Sequence, residues 1–319
     1  MTAATNPEIA ALEPGQDVTG TWACTRKSRL SARNGAPFLH VELRDATGRI
    51  AGRAFRDVAY LDGRFEQGDV VRVTARVEDY RGQRQLTIRA IERVTTDESA
   101  ALGLLPRAYR DLDELEGFLE HLAREVHDPG LRQLLVVALA DDELRRQLRT
   151  APCTRSGHHA YLGGLLEHTV AVTMLAQATC ELHRKLDSDL LLAAAILHDV
   201  GKTREFDYGA EITLSQAGQM LGHLQLGAEL IREIAQRAPQ LAPDRLMQLL
   251  NCVLSHHGPL DGRRFASAEA LALQRINTLD AQVKESLEHG ALAGSASVRV
   301  ARGPGGESAA RHTPSHIEA

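Results

Sequence analysis

His198 and Asp199 stand side by side at the end of Leu190–Leu197, a run of consecutive apolar residues. Such a run reads as a helix buried on nearly every side, with Gly201 as its stop. A carboxylate at the dry end of a core helix needs a partner or a metal, because burying it unpaired costs several kcal/mol. Other histidines also sit in or beside apolar segments. His168 closes Gly-Gly-Leu-Leu-Glu-His, His223 lies in Leu-Gly-His-Leu, and His256 and His257 follow Cys-Val-Leu-Ser. Asp280 lies in Asn-Thr-Leu-Asp. Each gap between them fits about one helix plus a connection. One ligand per helix, aimed at a common centre, is how helical bundles build metal sites.

Imidazoles with a carboxylate suit a borderline divalent transition ion. Asp199 has two oxygens and can bridge two ions. His168, His198 and a late carboxylate would complete one, and His223, His256 and His257 the other. Two such ions, about 3.5–4 Å apart, activate a water and clamp a phosphoryl group. Lys202 follows His198 by one helical turn, where it would stabilise charge on phosphate oxygens; a plain helix-terminal lysine is the alternative. His158, His159 and Tyr161 precede Gly163-Gly164 and are candidate substrate contacts, with capping or packing as the alternative for the two histidines.

These side chains need a helical scaffold, and the sequence periodicity supplies one only in its second part. From Val18 the period is two. Strands are expected at Val18–Lys27, Phe38–Asp45, Arg49–Phe55, Val70–Tyr80 and Gln85–Val94. In the second, Leu39, Val41 and Leu43 face inward. Five strands with a short insert after the third suit a small OB-type barrel. Such barrels hold single-stranded nucleic acid in a basic groove with aromatic platforms. Phe38, Arg53, Phe55, Arg72 and Arg76 are candidates for that face, and Arg81 and Arg84 for its mobile loop. Trp22 is expected in the core or between domains.

From Thr96 the period becomes helical. Helices are expected at 112–127, 131–148, 159–183, 188–200, 218–237, 243–256 and 267–289. The fold class is therefore multidomain α+β, a five-stranded barrel followed by an all-α bundle. The expected divisions are a loose arm over 1–14, the barrel over 15–95, a linker and leading helices over 96–150, the histidine-bearing domain over 151–290, and a disordered tail over 291–319.

Composition agrees with a soluble globular chain of 319 residues, 43% hydrophobic and 25% charged. The net charge of −5 hides an asymmetry, since residues 15–95 carry 15 Lys+Arg against 10 Asp+Glu. A basic barrel can meet a polyanion. No apolar run is long enough to span a bilayer, and Met1–Leu12 lacks a signal-peptide pattern. The four cysteines are far apart and form no CxxC, as expected of reduced thiols in a cytoplasmic protein.

The segments at 158–169 (His-His-Ala-Tyr-Leu-Gly-Gly-Leu-Leu-Glu-His-Thr), 198–202 (His-Asp-Val-Gly-Lys), 222–224 and 255–258 together resemble the HD-domain phosphohydrolases. With the OB-like N-terminus, the chain over about 15–290 is similar to the YhaM-type 3′→5′ exoribonucleases. That resemblance implies metal-dependent removal of nucleotides from the 3′ end of single-stranded RNA, and of single-stranded DNA as a further substrate. It implies ligand roles for His168, His198, Asp199, His223, His256 and His257. It implies one or two divalent ions, Mn2+ first with Co2+, Fe2+ or Ni2+ as alternatives, and a homo-oligomer without a membrane partner. One departure stands out: the family tends to carry aspartate where this chain has Asn277. Position 280 is one turn further on the same helix face, so Asp280 is the expected late ligand. A neutral amide in its place would bind that ion more weakly. The competing readings are an HD phosphodiesterase or phosphatase for small nucleotides, and a non-catalytic nucleic-acid-binding regulator.

Overall fold

The computed structural model describes residues 6–32, 34–155 and 157–292. Strands β1 (Asp17–Ser31), β2 (Pro37–Asp45), β3 (Gly48–Ala54), β4 (Val70–Tyr80) and β5 (Gln83–Arg93) form a closed barrel, with α1 (Val58–Asp62) between β3 and β4. The order is β1-β2-β3-β5-β4, antiparallel except for the parallel β3–β5 pair, and β4 closes back on β1. Period two decides which side chains fill it. Leu39, Val41, Leu43, Val71, Val73, Ala75, Val77 and Leu86 are fully buried, together with Trp22.

Residues 6–14 are not the loose arm expected for 1–14. Ile9 and Leu12 are buried in the barrel core, and the Ile9 N–H donates to Asp45 Oδ2 at 2.8 Å. Arg84 holds the same segment, donating to the carbonyls of Ala10 (3.0 Å) and Leu12 (2.7 Å). Two large apolar side chains in this stretch were enough to anchor it. The expected disordered tail over 291–319 lies outside the described residues from 293 onward; Ala291 and Leu292 end the last helix.

A short helix, α2 (Glu98–Leu102), opens the part expected as linker. The helices that follow are α3 (Leu112–Arg124), α4 (Pro129–Leu139), α5 (Asp142–Thr150), α6 (Gly164–Leu182), α7 (Ser188–Leu197), α8 (Gln216–Ala235), α9 (Pro243–Leu254) and α10 (Ala268–Leu292). The single helix expected at 131–148 is two, because Asp141 leaves the helix to cap α5 through the Leu144 N–H. Asp111, Asp128, Asp187 and Ser215 cap α3, α4, α7 and α8 in the same way. A hairpin of β6 (Phe206–Tyr208) and β7 (Ile212–Leu214) was not expected; strands of three residues carry too little pattern to read. It props the barrel, for Ala210 packs with Ala23, Val70 and Leu104, and Arg44 donates to the Ala210 carbonyl.

Helix α7 is the axis of the helical part. All of Leu190–Leu197 is buried, among side chains of α3, α4, α6, α8, α9 and α10. It ends at His198, and the chain tightens into a 3-10 turn at Val200–Thr203. Gly201 lets that turn press on α8, where a Cβ would run into the His223 carbonyl and the Gly227 amide. Gly201→Ala is therefore expected to destabilise the helical part by about 3 kcal/mol through overpacking. Thermal and denaturant unfolding would measure it, and a stability equal to the wild type's would contradict this packing.

Candidate metal centre

The end of α7 brings His198 and Asp199 to the meeting point of four other segments. His168 comes from the first turns of α6, His223 from α8, His256 and His257 from the turn after α9, and Asn277 and Asp280 from α10. Helix α8 bends at Gly222, whose φ of 69° needs glycine, and the bend sets His223.

Four imidazoles are fixed by their Nδ1 atoms. His198 Nδ1 donates to the Ala195 carbonyl at 2.8 Å and His256 Nδ1 to the Val253 carbonyl at 2.6 Å. His168 Nδ1 donates to Asp280 Oδ2 at 2.6 Å, and His223 Nδ1 to Glu205 Oε1 at 3.1 Å. With the proton on Nδ1, each Nε2 is left as a lone pair. These lone pairs face one another and Asp199. His168 Nε2 is 3.2 Å from His198 Nε2, and His223 Nε2 is 3.0 Å from His257 Nε2. Asp199 Oδ2 lies 3.4 Å from His198 Nε2 and 3.6 Å from His168 Nε2. Its Oδ1 lies 3.3 Å from His256 Nε2 and 3.6 Å from His223 Nε2.

Acceptors that face acceptors call for a cation between them. Asp199 Oδ1 and His256 Nε2 are buried with no hydrogen-bond partner, which is costly unless something charged meets them. The donors are neutral imidazoles and one shared carboxylate, a set that fits a divalent ion. Burial, against the pull of Asp280, pushes His168 down to about 4. Burial, with His256 alongside, pushes His257 down to about 3. Burial would push the Asp199 carboxyl up, but the Lys202 ammonium outweighs it and holds it well below the usual carboxylate range. Each group thus stands in its ligand form at neutral pH. Two groupings result: Asp199 Oδ2 with His168 and His198, and Asp199 Oδ1 with His223, His256 and His257.

Asp280, expected as the late ligand, is not at this centre. It sits behind His168 on the Nδ1 side, and also lies 3.3 Å from His159 Nε2. Asn277 faces the centre instead, with Oδ1 2.9 Å from His168 Nε2. The two positions share one helix face, so spacing could not separate them. His159 and Tyr161 are likewise not placed as substrate contacts. His159 is buried and bonds Tyr161 Oη at 2.9 Å, and Tyr161 Oη donates to Glu167 Oε2 at 2.7 Å. Lys284 joins Glu167 at 3.1 Å. Burial would raise the Glu167 carboxyl, but His159, Tyr161 and Lys284 bring it down to about 2. This network braces Asp280 and hence His168.

His158 does face outward, into a cavity of about 490 Å3 that it lines with Lys202, His223, His257, Asn277 and Cys153. Lys202 Nζ is buried and contacts Asp199 Oδ2 at 2.9 Å and Cys153 Sγ at 3.5 Å. Cys153, whose thiol burial pushes up to about 12, and Glu205 were not legible as site residues. Each reaches the centre only through a turn that tertiary packing sets.

The barrel candidates divide. Phe38 and the exposed Phe55 lie with ring centroids 5.6 Å apart. The Arg53 guanidinium lies 6.0 Å from the Phe38 ring and 5.2 Å from the Tyr80 ring, and Arg81 lies 5.3 Å from the same Tyr80. These five side chains form one aromatic and basic patch. Arg76 instead pairs with Asp17 at 3.2 Å, and Arg72 stands opposite Thr21 on β1. Arg84, expected in the mobile loop, is committed to the N-terminal segment as described above, because the carbonyls there lie within its reach.

Asn277→Asp would add a charge where an uncharged oxygen now faces His168. It is expected to tighten divalent-ion binding by on the order of tenfold. Competition against a chelating dye would measure this, and unchanged or weaker affinity would count against Asn277 facing an ion.

Comparison with known proteins matches this architecture. Residues 165–286 match the HD domain and residues 22–94 an OB-fold nucleic acid binding domain. The chain is 29% identical over 279 residues to a Shouchella clausii protein named 3′-5′ exoribonuclease YhaM, covering 84% of this chain and 85% of that one. It is 27% identical over 277 residues to the Bacillus subtilis protein of the same name, covering 85% and 87%. The Oceanobacillus iheyensis protein of that name is 28% identical over 251 residues, covering 78% of each. With an OB-fold ahead of an HD domain, the chain is similar along most of its length to these proteins named 3′-5′ exoribonuclease YhaM.

Proposed function

We propose that this chain is a metal-dependent 3′→5′ exoribonuclease acting on single-stranded RNA. The observation that carries this reading is the set of imidazoles whose lone pairs turn toward the two oxygens of Asp199, of which His223 and His257 reach the wall of an open cavity. The polarity of attack rests on the relatives, which are named 3′-5′ exoribonucleases.

His168, His198 and Asp199, with Asn277, would hold one divalent ion, and Asp199, His223, His256 and His257 the other. Bound there, such ions supply an activated water and positive charge against the phosphoryl oxygens. The remaining work falls to side chains of the cavity. Asp280 and Glu205 keep the Nδ1 protons of His168 and His223, so their Nε2 atoms stay available. Lys202 holds Asp199 in place and sets a permanent positive charge at the cavity wall, where a phosphate oxygen develops charge. His158 offers a donor to the substrate side of the same wall. Phe38 and Phe55 supply stacking surfaces, with Arg53 and Arg81 beside them for the backbone.

The finer parts of the reading have separate supports. Mn2+ suits the mixed imidazole and carboxylate donors, and single-stranded DNA would use the same stacking patch. A homo-oligomer would cover Leu279, Val283 and Leu287, exposed at successive turns of α10. Four free cysteines suit the reducing cytoplasm. Among the described residues no helix is long and apolar enough to cross a membrane. The neutral amide of Asn277 is the one observation that favours a non-catalytic regulator.

Purified protein with Mn2+ is expected to shorten a 5′-labelled single-stranded RNA stepwise, and chelation is expected to stop it. His198→Ala with Asp199→Ala should lower the rate by at least about a hundredfold. Full activity in that double variant would remove the assigned centre, and no cleavage by a metal-loaded wild type would favour the regulator. Phe38→Ala with Phe55→Ala should weaken strand binding by about 1–3 kcal/mol for each base unstacked, read by fluorescence anisotropy; unchanged affinity would take these rings out of the interface.

A further inference from the structure

Between the barrel and the helical domain lies a second cavity, of about 510 Å3. Arg44 and Arg49, cross-strand partners on β2 and β3, line it from the barrel side. Arg155, Glu211 and Glu288 line it from the helical side. Arg155 also lines the cavity of the metal centre, so the two spaces border one residue.

Arg44 is the unusual member. Its side chain is 9% exposed. One terminal nitrogen donates to the Ala210 carbonyl, but Nε is buried with no partner. Among the described residues no carboxylate forms an ion pair with it. Glu211 lines the same cavity without closing on it, and Glu42 is taken by Arg49 at 3.0 Å. A buried guanidinium without an anion is costly, because desolvation is not offset by a counter-charge. Guanidinium groups bind phosphate oxygens through paired N–H donors.

We propose that this interdomain cavity is a phosphate subsite, in which Arg44 and Arg155 bind a backbone phosphodiester of the single strand between the barrel patch and the metal centre. The proposal rests on the exoribonuclease reading for the identity of the ligand. The placement of the arginines makes it a relay. The barrel holds bases, Arg44 and Arg155 hold the backbone where it leaves the barrel, and the strand end then lies at Asp199. A free phosphate shares the same chemistry, so the test must tell the two sources apart.

The test uses the full chain with chelator present, so that nothing is cut. A 5′-fluorescent single-stranded RNA is titrated by anisotropy at several salt concentrations against wild type, Arg44→Gln and Arg155→Gln. Each variant is expected to bind about tenfold more weakly. Each should also lower the slope of log affinity on log salt by about 0.7, the loss of one phosphate contact on a single strand. Arg155 is exposed, so its substitution keeps the test valid if the buried Arg44 variant fails to fold. Inorganic phosphate alone is expected to bind more weakly than the strand and to compete with it. Unchanged affinity and slope in the folded variants would overturn the proposal. So would inorganic phosphate that binds in an Arg155-dependent way without competing with the strand. Failure here with cleavage intact leaves the exoribonuclease reading standing. Absent cleavage with the arginine effect intact removes that reading and keeps the subsite.

Discussion

A single buried carboxylate sets the terms for this molecule. Asp199 is 1% exposed and has Lys202 on one oxygen and no hydrogen-bond donor on the other. Three requirements follow. The helix that delivers it must be rigid and apolar, which Leu190–Leu197 satisfies. The surrounding imidazoles must be neutral, which burial enforces on His168, His256 and His257. Their protons must also be kept away from the carboxylate, which Asp280, Glu205 and two backbone carbonyls do. The site is therefore a consequence of the core and not an addition to its surface.

The support around His168 illustrates how far that constraint reaches. Asp280 can accept from His168 only if its own charge is tolerated in a half-buried place. His159 makes it tolerable, and Tyr161, Glu167 and Lys284 extend the chain of partners to the exposed face of α10. The segment His158–Gly164 has two roles. His158 turns to the cavity, while His159 turns inward through a backbone of positive φ. Adjacent histidines with opposite duties look alike in sequence, and only the φ of 51° at His159 separates them.

That contrast explains which parts of the structure the sequence could disclose. The barrel strands were readable because period two divides each strand into a core face and a solvent face. The residues gathered at the candidate centre were readable in part, since His168, His198, Asp199, His223, His256 and His257 each border an apolar run. What escaped was set by contacts between segments distant in the chain. Asn277 and Asp280 differ by one helical turn, and only the docking angle of α10 decides which one faces the centre. Glu205 enters through the bend at Gly222. Ile9 and Leu12 anchor a segment whose composition reads as loose. Arg84 looked like a loop cation and is a clamp, because carbonyl groups of a folded N-terminus stand within reach.

The joint between the domains follows from the same logic of unmatched charge. A barrel could be tethered to a bundle by apolar contacts alone, and Ala23, Val70, Leu104 and Ala210 supply such contacts. Arg44 is harder to explain as a tether. An apolar residue there would pack against the hairpin without the cost of a desolvated guanidinium, and its one backbone hydrogen bond returns only about 1.5–3 kcal/mol. A charge kept at a joint, beside a cavity and with no carboxylate among the described residues paired to it, is better explained by an anion that arrives than by the fold that is present. Asp199 poses the inverse case at the neighbouring cavity, where a buried negative oxygen faces lone pairs and awaits a cation. A phosphodiester strand running between the two would meet positive charge at both: a guanidinium at the joint, and Lys202 with bound metal at the end.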